Sequence, residues 1–318
     1  MVKNPLVIVG GLQPKERPAV FSFLRRCPCP IFAEATSGFR ENKELMDRLV
    51  LSGEALLSEV PFDGVIRIGT VPVLRYWRDL EHRNLPVQVF SRLAFSGLGR
   101  PNVEVQPIAA LENVEIGTDQ KGCKAFLQKD RERYSQRLEK WKSEPTSERG
   151  MFYQLSKLIP KESRIFLGNS LAIREWDLCA TREDRNFEVA ANRGANGIDG
   201  ELSTFYGWAQ GGKSNWAILG DLTTLYDLSA PWILPQLRGV ETNVVVMNNG
   251  GGQLFSKLFQ SEIFLNRHQL NFKHWAAMWN LHYVIARSAS DAAIPQSASH
   301  HRLIEILPGE NTISDQPT

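Results

Sequence analysis

Short apolar runs, most of them ending on a glycine or asparagine turn, separated by stretches long enough for a helix, are the feature that most constrains this fold. Leu6–Val9 runs into Gly10-Gly11, and a helix is expected over Pro14–Arg26. Pro30–Ala33, Val65–Ile68 and Val87–Phe90 repeat the pattern. It recurs at Arg164–Leu167, Glu188–Ala191, Trp216–Leu219, Asn243–Met247 and Leu303–Leu307. Uninterrupted apolar runs joined by crossovers predict parallel sheets covered by helices. The expected class is α/β, with two domains of mainly parallel sheet flanked by helices. A length of 318 residues agrees with two domains.

The two sets of strands are separated by a basic stretch. Lys121–Lys142 carries eight Lys/Arg against three Asp/Glu, with Leu127, Tyr134, Leu138 and Trp141 at helical spacing. This reads as a solvated amphipathic helix, and the net charge of +2 gives no reason to expect nucleic acid. Ser143–Glu148, with Pro145, reads as a linker. The expected division is 1–117 for a Rossmann-like domain, 118–147 for a helical linker, 148–307 for a second domain and 308–318 for a disordered tail. No run predicts a membrane span. Cys27, Cys29, Cys123 and Cys179 lack zinc spacing, so reduced thiols and a cytoplasmic location are expected. Gly10-Gly11 lacks the GxGxxG pattern and reads as a plain strand-to-helix turn.

Chemistry concentrates in the second half. Gly220-Asp221 and Asn248-Asn249 each follow an apolar strand, and Asp221 and Asn249 lie 28 residues apart. That spacing accommodates one crossover, expected as a helix over Tyr226–Leu237, plus one strand. It brings both residues to the same sheet edge, where open α/β sheets bind ligands. A carboxylate, an amide oxygen and a backbone carbonyl suit Mg²⁺ or Ca²⁺, and Mg²⁺ normally completes its octahedron with phosphate oxygens and water. Gly250-Gly251-Gly252 permits close backbone approach by a diphosphate. Each piece alone is also ordinary turn chemistry.

Together with Gly168-Asn169-Ser170, the string from Asn192 to Gly200, Tyr226-Asp227-Leu228 and Gly251-Gly252-Gln253-Leu254-Phe255-Ser256, these motifs resemble one thiamine-diphosphate enzyme family. That family is 2-succinyl-5-enolpyruvyl-6-hydroxy-3-cyclohexene-1-carboxylate synthase, of menaquinone biosynthesis. The resemblance covers the family's central and diphosphate-binding domains. It implies thiamine diphosphate with Mg²⁺ or Mn²⁺, and a transferase that decarboxylates 2-oxoglutarate and joins the succinyl-semialdehyde unit to isochorismate. By the same resemblance, Asp221, the Asn249 side chain and the Gly251 carbonyl hold the metal. Ile198 props the bent cofactor, and Gly220, Leu222, Asn248 and Ser170 contact it. Arg174 and Arg193 bind substrate carboxylates beside Ser170, and Arg75 aligns with a further basic position. Leu254, Phe255 and Leu258 form an apolar wall for the isochorismate ring. Gly250 stands where related sequences often have a third asparagine.

Ser170 is equally readable as a helix N-cap, and Arg174 as one half of an ion pair with Glu175 or Asp177. No pyrimidine-binding domain, with its activating glutamate, is recognisable in the chain. The expectation is therefore a truncated piece or one subunit of a split enzyme, inactive until completed by such a domain and a homo-oligomer in its complete form. The diphosphate-binding subunit of another split 2-oxoacid decarboxylase, or a non-catalytic remnant, remains open at this level.

Overall fold

Val, Ile and Leu dominate the strands because parallel strands covered on both faces need apolar side chains on both sides of the pleat. The computed structural model describes residues 3–60, 62–117, 120–194, 196–256, 261–288, 291 and 300–309. The chain divides into two units, residues 1–139 with 182–184, and residues 140–181 with 185–318.

In the first unit, β1 (Pro5–Val9), β2 (Ile31–Ala33), β3 (Gly64–Ile68), β4 (Val87–Phe90) and β5 (Val105–Gln106) form a parallel sheet in the order β2-β1-β3-β4-β5. Among its helices are α1 (Arg17–Arg26) and α2 (Arg75–Asp79). The first turn of the expected Pro14–Arg26 helix is 3₁₀, over Pro14–Glu16. β5 has only two residues, too few to show a period. Gly10-Gly11 is a packing turn: a Cβ on Gly10 would fall 2.3 Å from the Thr70 carbonyl oxygen. The Gly11 N–H donates to Thr70 Oγ1 at 2.9 Å. Thus the glycines let two strand ends touch.

Helix α3 (Gln120–Ser143) follows, longer than its expected core by a residue at each end. Its buried positions include Cys123, Phe126 and Asp130 together with the expected Trp141. The Asp130 carboxylate accepts the backbone N–H groups of Leu51 and Ser52, both at 2.9 Å. A buried carboxylate with two donors replaces part of the apolar stripe that the spacing of Leu127 and Tyr134 suggested.

The second unit starts its regular structure with α4 (Glu148–Leu158), capped by Ser147 Oγ, which accepts the Gly150 N–H. Then come β6 (Arg164–Leu167), α5 (Leu171–Cys179), β7 (Glu188–Ala190), α6 (Glu201–Trp208), β8 (Ser214–Gly220), α7 (Asp221–Leu225), β9 (Glu241–Met247), α8 (Lys273–Met278), β10 (His282–Ala286) and β11 (His301–Ile306). The strands lie in the order β10-β11-β9-β8-β6-β7, and every described pairing is parallel. One face packs Phe166, Leu202, Phe205, Ala217, Val244 and Leu303 into a core.

Two expectations need correction. The crossover between β8 and β9 is not one helix over Tyr226–Leu237. Helix α7 ends at Leu225, and a 3₁₀ segment, Ala230–Gln236, follows. Pro231 and Pro235 explain the break, since each removes a backbone donor that a continuous α-helix requires. Strand β10, with half-buried residues at its first three positions, was not foreseen in the sequence. Among the described residues no helix is long and apolar enough to cross a membrane.

Candidate functional site

The chain runs from β6 outward to β7 and then returns across β6 to β8, so its winding direction reverses between β6 and β8. Strand ends diverge at such a reversal and leave a crevice. The registers set Leu167 beside Ile218 and Gly220 beside Met247, so the turns after β6, β8 and β9 emerge side by side. A cleft of about 410 Å³ opens there.

Eleven of the fourteen residues singled out from the sequence line this cleft: Ser170, Arg174, Arg193, Ile198, Gly220, Asp221, Leu222, Asn249, Gly251, Leu254 and Phe255. Asn248 does not line it. Its amide nitrogen donates to the Leu270 carbonyl at 2.9 Å and to Glu305 Oε1 at 2.6 Å, which ties β9 to β11. Adjacent residues leaving a strand point to opposite sides, so Asn249 turns to the cleft when Asn248 turns away. Arg75 belongs to the first unit, where it pairs with Asp79 at 3.7 Å on α2. Leu258 lies outside the described residues.

Asp221 is the most buried charged group lining the cleft, at 2% exposure. Its Oδ1 accepts the Leu222 N–H at 2.6 Å, and its Oδ2 accepts the Gly251 N–H at 2.9 Å. His268 Nε2 faces Oδ2 at 3.2 Å. Burial pushes the Asp221 carboxyl above the usual carboxylate range, against those hydrogen bonds and the neighbouring imidazole. The Asn249 amide nitrogen donates to both oxygens of Glu148, at 3.3 and 3.2 Å. Glu148 is buried, and desolvation, reinforced by Glu175, raises its pKa to about 7. Gly251 has φ +131°, and a Cβ there would lie 2.5 Å from the Leu265 carbonyl oxygen. The segment containing Leu265 and His268 therefore backs directly onto the glycine turn, with the His268 N–H donating to the Gly250 carbonyl at 3.2 Å.

The same cleft is lined by Arg174 and Arg193. The loop after β7, from Ala191 to Gly200, is tied to the turn after β6 by Asn169. That side chain donates to the Gly197 carbonyl at 2.7 Å and accepts from Arg193 Nη1 at 2.8 Å. Its own backbone N–H reaches the buried Glu201 carboxylate at 3.1 and 2.9 Å. Burial raises the Glu201 pKa to about 7. Arg193 keeps a buried Nε without a hydrogen-bond partner, while Arg174 Nη1 donates to the Ser170 carbonyl at 2.5 Å. Glu175, next to Arg174 in sequence, pairs with Arg149 at 2.9 Å.

Ser170 occupies the N-cap position of α5 with φ 68° and ψ −128°, and its side chain makes no capping bond. A serine held at positive φ without the usual capping return is strained backbone at a cleft wall. Ile198 is half-buried and has its apolar surface toward the cleft rather than in the core.

The donor chemistry fits a hard divalent cation with a diphosphate. Asp221, the oxygen of Asn249 and the carbonyl of Gly251 are all oxygen donors. The Gly251 carbonyl accepts the Gln253 N–H at 2.9 Å, and among the described residues no second donor to it is seen. Among the described residues no three His, Cys, Asp or Glu side chains gather to hold a metal. Glu148, Phe152 and His268 were not foreseen, and Gln253 was named only as part of a motif. Ser147-Glu148 announces a helix start, but nothing in its spacing says that this end of the helix faces the turns after β8 and β9.

No family model matches the chain. Individual relatives do. It is 41% identical over 311 residues to the 2-succinyl-5-enolpyruvyl-6-hydroxy-3-cyclohexene-1-carboxylate synthase of Bdellovibrio bacteriovorus, over 96% of this chain and 59% of that protein. The synthase of the same name from Akkermansia muciniphila is 35% identical over 321 residues, 95% of this chain and 59% of its own length. That of Proteus mirabilis is 38% identical over 169 residues, half of this chain.

This chain is homologous to those synthases.

It spans about three-fifths of the length of the first two relatives.

Proposed function

We propose that the second unit is the diphosphate- and metal-binding part of a thiamine-diphosphate-dependent synthase. The reaction is the decarboxylation of 2-oxoglutarate and transfer of the succinyl-semialdehyde unit to isochorismate, in menaquinone biosynthesis. The observation that carries this reading is the convergence of Asp221, Asn249 and Gly251 with Arg174 and Arg193 on one cleft. Hard oxygen donors and carboxylate-binding guanidinium groups share its lining.

When bound, thiamine diphosphate supplies the carbon nucleophile and the electron sink for decarboxylation. The chain supplies the rest. Asp221, Asn249 and Gly251 hold Mg²⁺ or Mn²⁺, and Gly220, Leu222 and Ser170 lie against the cofactor. Ile198, on the cleft wall, would be its apolar prop. Arg193, braced by Asn169, and Arg174, braced by the Ser170 carbonyl, present planar forks to the carboxylates of 2-oxoglutarate and isochorismate. Leu254 and the partly exposed Phe255 give the carbocyclic ring an apolar surface, and Leu258 is assigned to the same wall by resemblance. Arg75 is retained as a further basic contact on that ground alone. Turnover is assigned to the complete assembly, an oligomer in which a pyrimidine-binding domain furnishes the activating glutamate.

Calorimetric titration of thiamine diphosphate with Mg²⁺ into this chain tests the reading, with Asp221→Ala as control. Saturable binding that requires metal and is lost in the variant is the expected result. If the folded chain stays silent even with a pyrimidine-binding domain from a relative added, the cofactor assignment fails.

A further inference from the structure

Glu148 is a costly residue to keep where it is. It is only 7% exposed, and two other carboxylates, Glu175 and Asp221, oppose its charge. A carboxylate taken out of water is tolerated when a donor compensates it. Among the described residues its one hydrogen-bond donor is the Asn249 amide nitrogen. Glu148 also lines the cleft with Asn249 and Asp221. It is the first residue of α4 and lies 101 positions from Asn249 in sequence, so tertiary structure alone makes this contact.

A carboxamide carries its nitrogen and oxygen on opposite arms of one plane. Whatever pins the nitrogen therefore fixes the direction of the oxygen. A half-turn of the amide would set an NH₂ group, with its positive edge, where a cation needs an oxygen. Nothing in the asparagine side chain itself prevents that turn, because the torsion that carries the amide is broad and roughly two-fold. Two carboxylate oxygens beside the nitrogen remove the degeneracy. The Asn249 backbone is held independently, its carbonyl accepting Gln253 Nε2 at 3.1 Å. Backbone and amide plane are thus fixed by different residues.

We propose that Glu148 is a positioning residue for the cation site: it holds the Asn249 amide with its oxygen available to the metal. This rests on the metal-site reading above and extends it to a residue outside the proposed ligand set. Outer partners that orient metal ligands typically contribute about 10- to 100-fold to affinity.

The test is Mn²⁺ binding to the full chain with thiamine diphosphate present, followed by the electron paramagnetic resonance of free Mn²⁺. Thermal unfolding of each variant verifies that it folds. Glu148→Ala is expected to weaken Mn²⁺ binding about 10- to 100-fold. Glu148→Gln keeps an acceptor oxygen for the Asn249 amide and is expected to retain most of the affinity. The decisive arm is Asn249→Asp, because a carboxylate offers an oxygen whichever way it turns. In that background the loss of Glu148 should cost nothing, or improve binding by removing a like charge. A merely structural role would instead lower affinity equally in both backgrounds, and that result overturns the proposal. So does a Glu148→Ala variant that folds and binds Mn²⁺ like the parent. If Asp221→Ala binds Mn²⁺ as well as the parent, the metal site itself has been misplaced, and the role of Glu148 falls with it.

Discussion

Replacing Gly251 by alanine perturbs the site at one backbone position whose cost can be worked from the coordinates. Its φ of +131° is a conformation that side-chain-bearing residues avoid, and holding one there costs about 1–3 kcal/mol. The new Cβ would also sit 2.5 Å from the Leu265 carbonyl and 3.0 Å from that of Asn266. Both are backbone atoms and cannot swing aside. Relief to an ordinary carbon–oxygen contact requires about 0.8 Å of movement. Such a shift strains the Gly252 N–H bond to Leu265 and the Gly251 N–H bond to Asp221, at about 1 kcal/mol each. The expected destabilisation is about 3–5 kcal/mol.

Urea denaturation followed by tryptophan fluorescence reads this unit well, because seven of the eight tryptophans belong to it. Gly207→Ala is the matched control. It lies in α6 with no atom within 4 Å of the added Cβ, and alanine there should stabilise by about 0.5–1 kcal/mol. If Gly251→Ala costs no more than the control, the strain and overlap argument is wrong.

Three further outcomes follow from the same structure. Ser170→Gly should raise stability by about 1 kcal/mol by releasing the positive φ, while lowering thiamine diphosphate affinity; unchanged stability would mean the turn is unstrained. Glu201 has a folded pKa of about 7 against an ordinary 4.5, so the folded state binds the extra proton in that window. Its stabilising contribution is complete below pH 4.5 and is lost as pH rises through about 7, up to about 3 kcal/mol. Glu201→Gln should therefore flatten, without abolishing, the fall in stability between pH 5 and 7.5 (about the span of that shift), since Glu148 titrates in the same direction; an unaltered slope would refute the assignment. Phe205→Ala, emptying a fully buried ring position, should cost about 3–5 kcal/mol in urea denaturation.

Much of this molecule is readable without coordinates. Apolar runs such as Val244–Val246 and Ala217–Leu219 have no polar face, so only a sheet covered on both sides accommodates them. Once the strands are parallel, right-handed crossovers bring their turns to one edge, and the approach of Asp221 to Asn249 follows from sequence spacing. Local chemistry was less legible where two signals compete. The spacing between Asp221 and Asn249 suggested one crossover helix over Tyr226–Leu237, yet Pro231 and Pro235 decided for a 3₁₀ segment.

What the chain order could not convey is which neighbour each polar group finds. Asn248 and Asn249 are the same residue type, side by side, and the pleat sends one to Glu305 and the other to Glu148. Asp130 reads as a solvent-facing helix charge until the Leu51 and Ser52 amides are seen against it. Glu148 and Glu201 carry no motif, because their roles arise from partners 101 and 32 residues away, and Asn169, though inside a motif, finds Arg193 24 residues away only in the folded chain. Periodicity and turn chemistry are local and are written in consecutive residues. The compensation of a buried charge is not local, because burial is a property of the packed chain, and only tertiary structure decides which donor comes within reach.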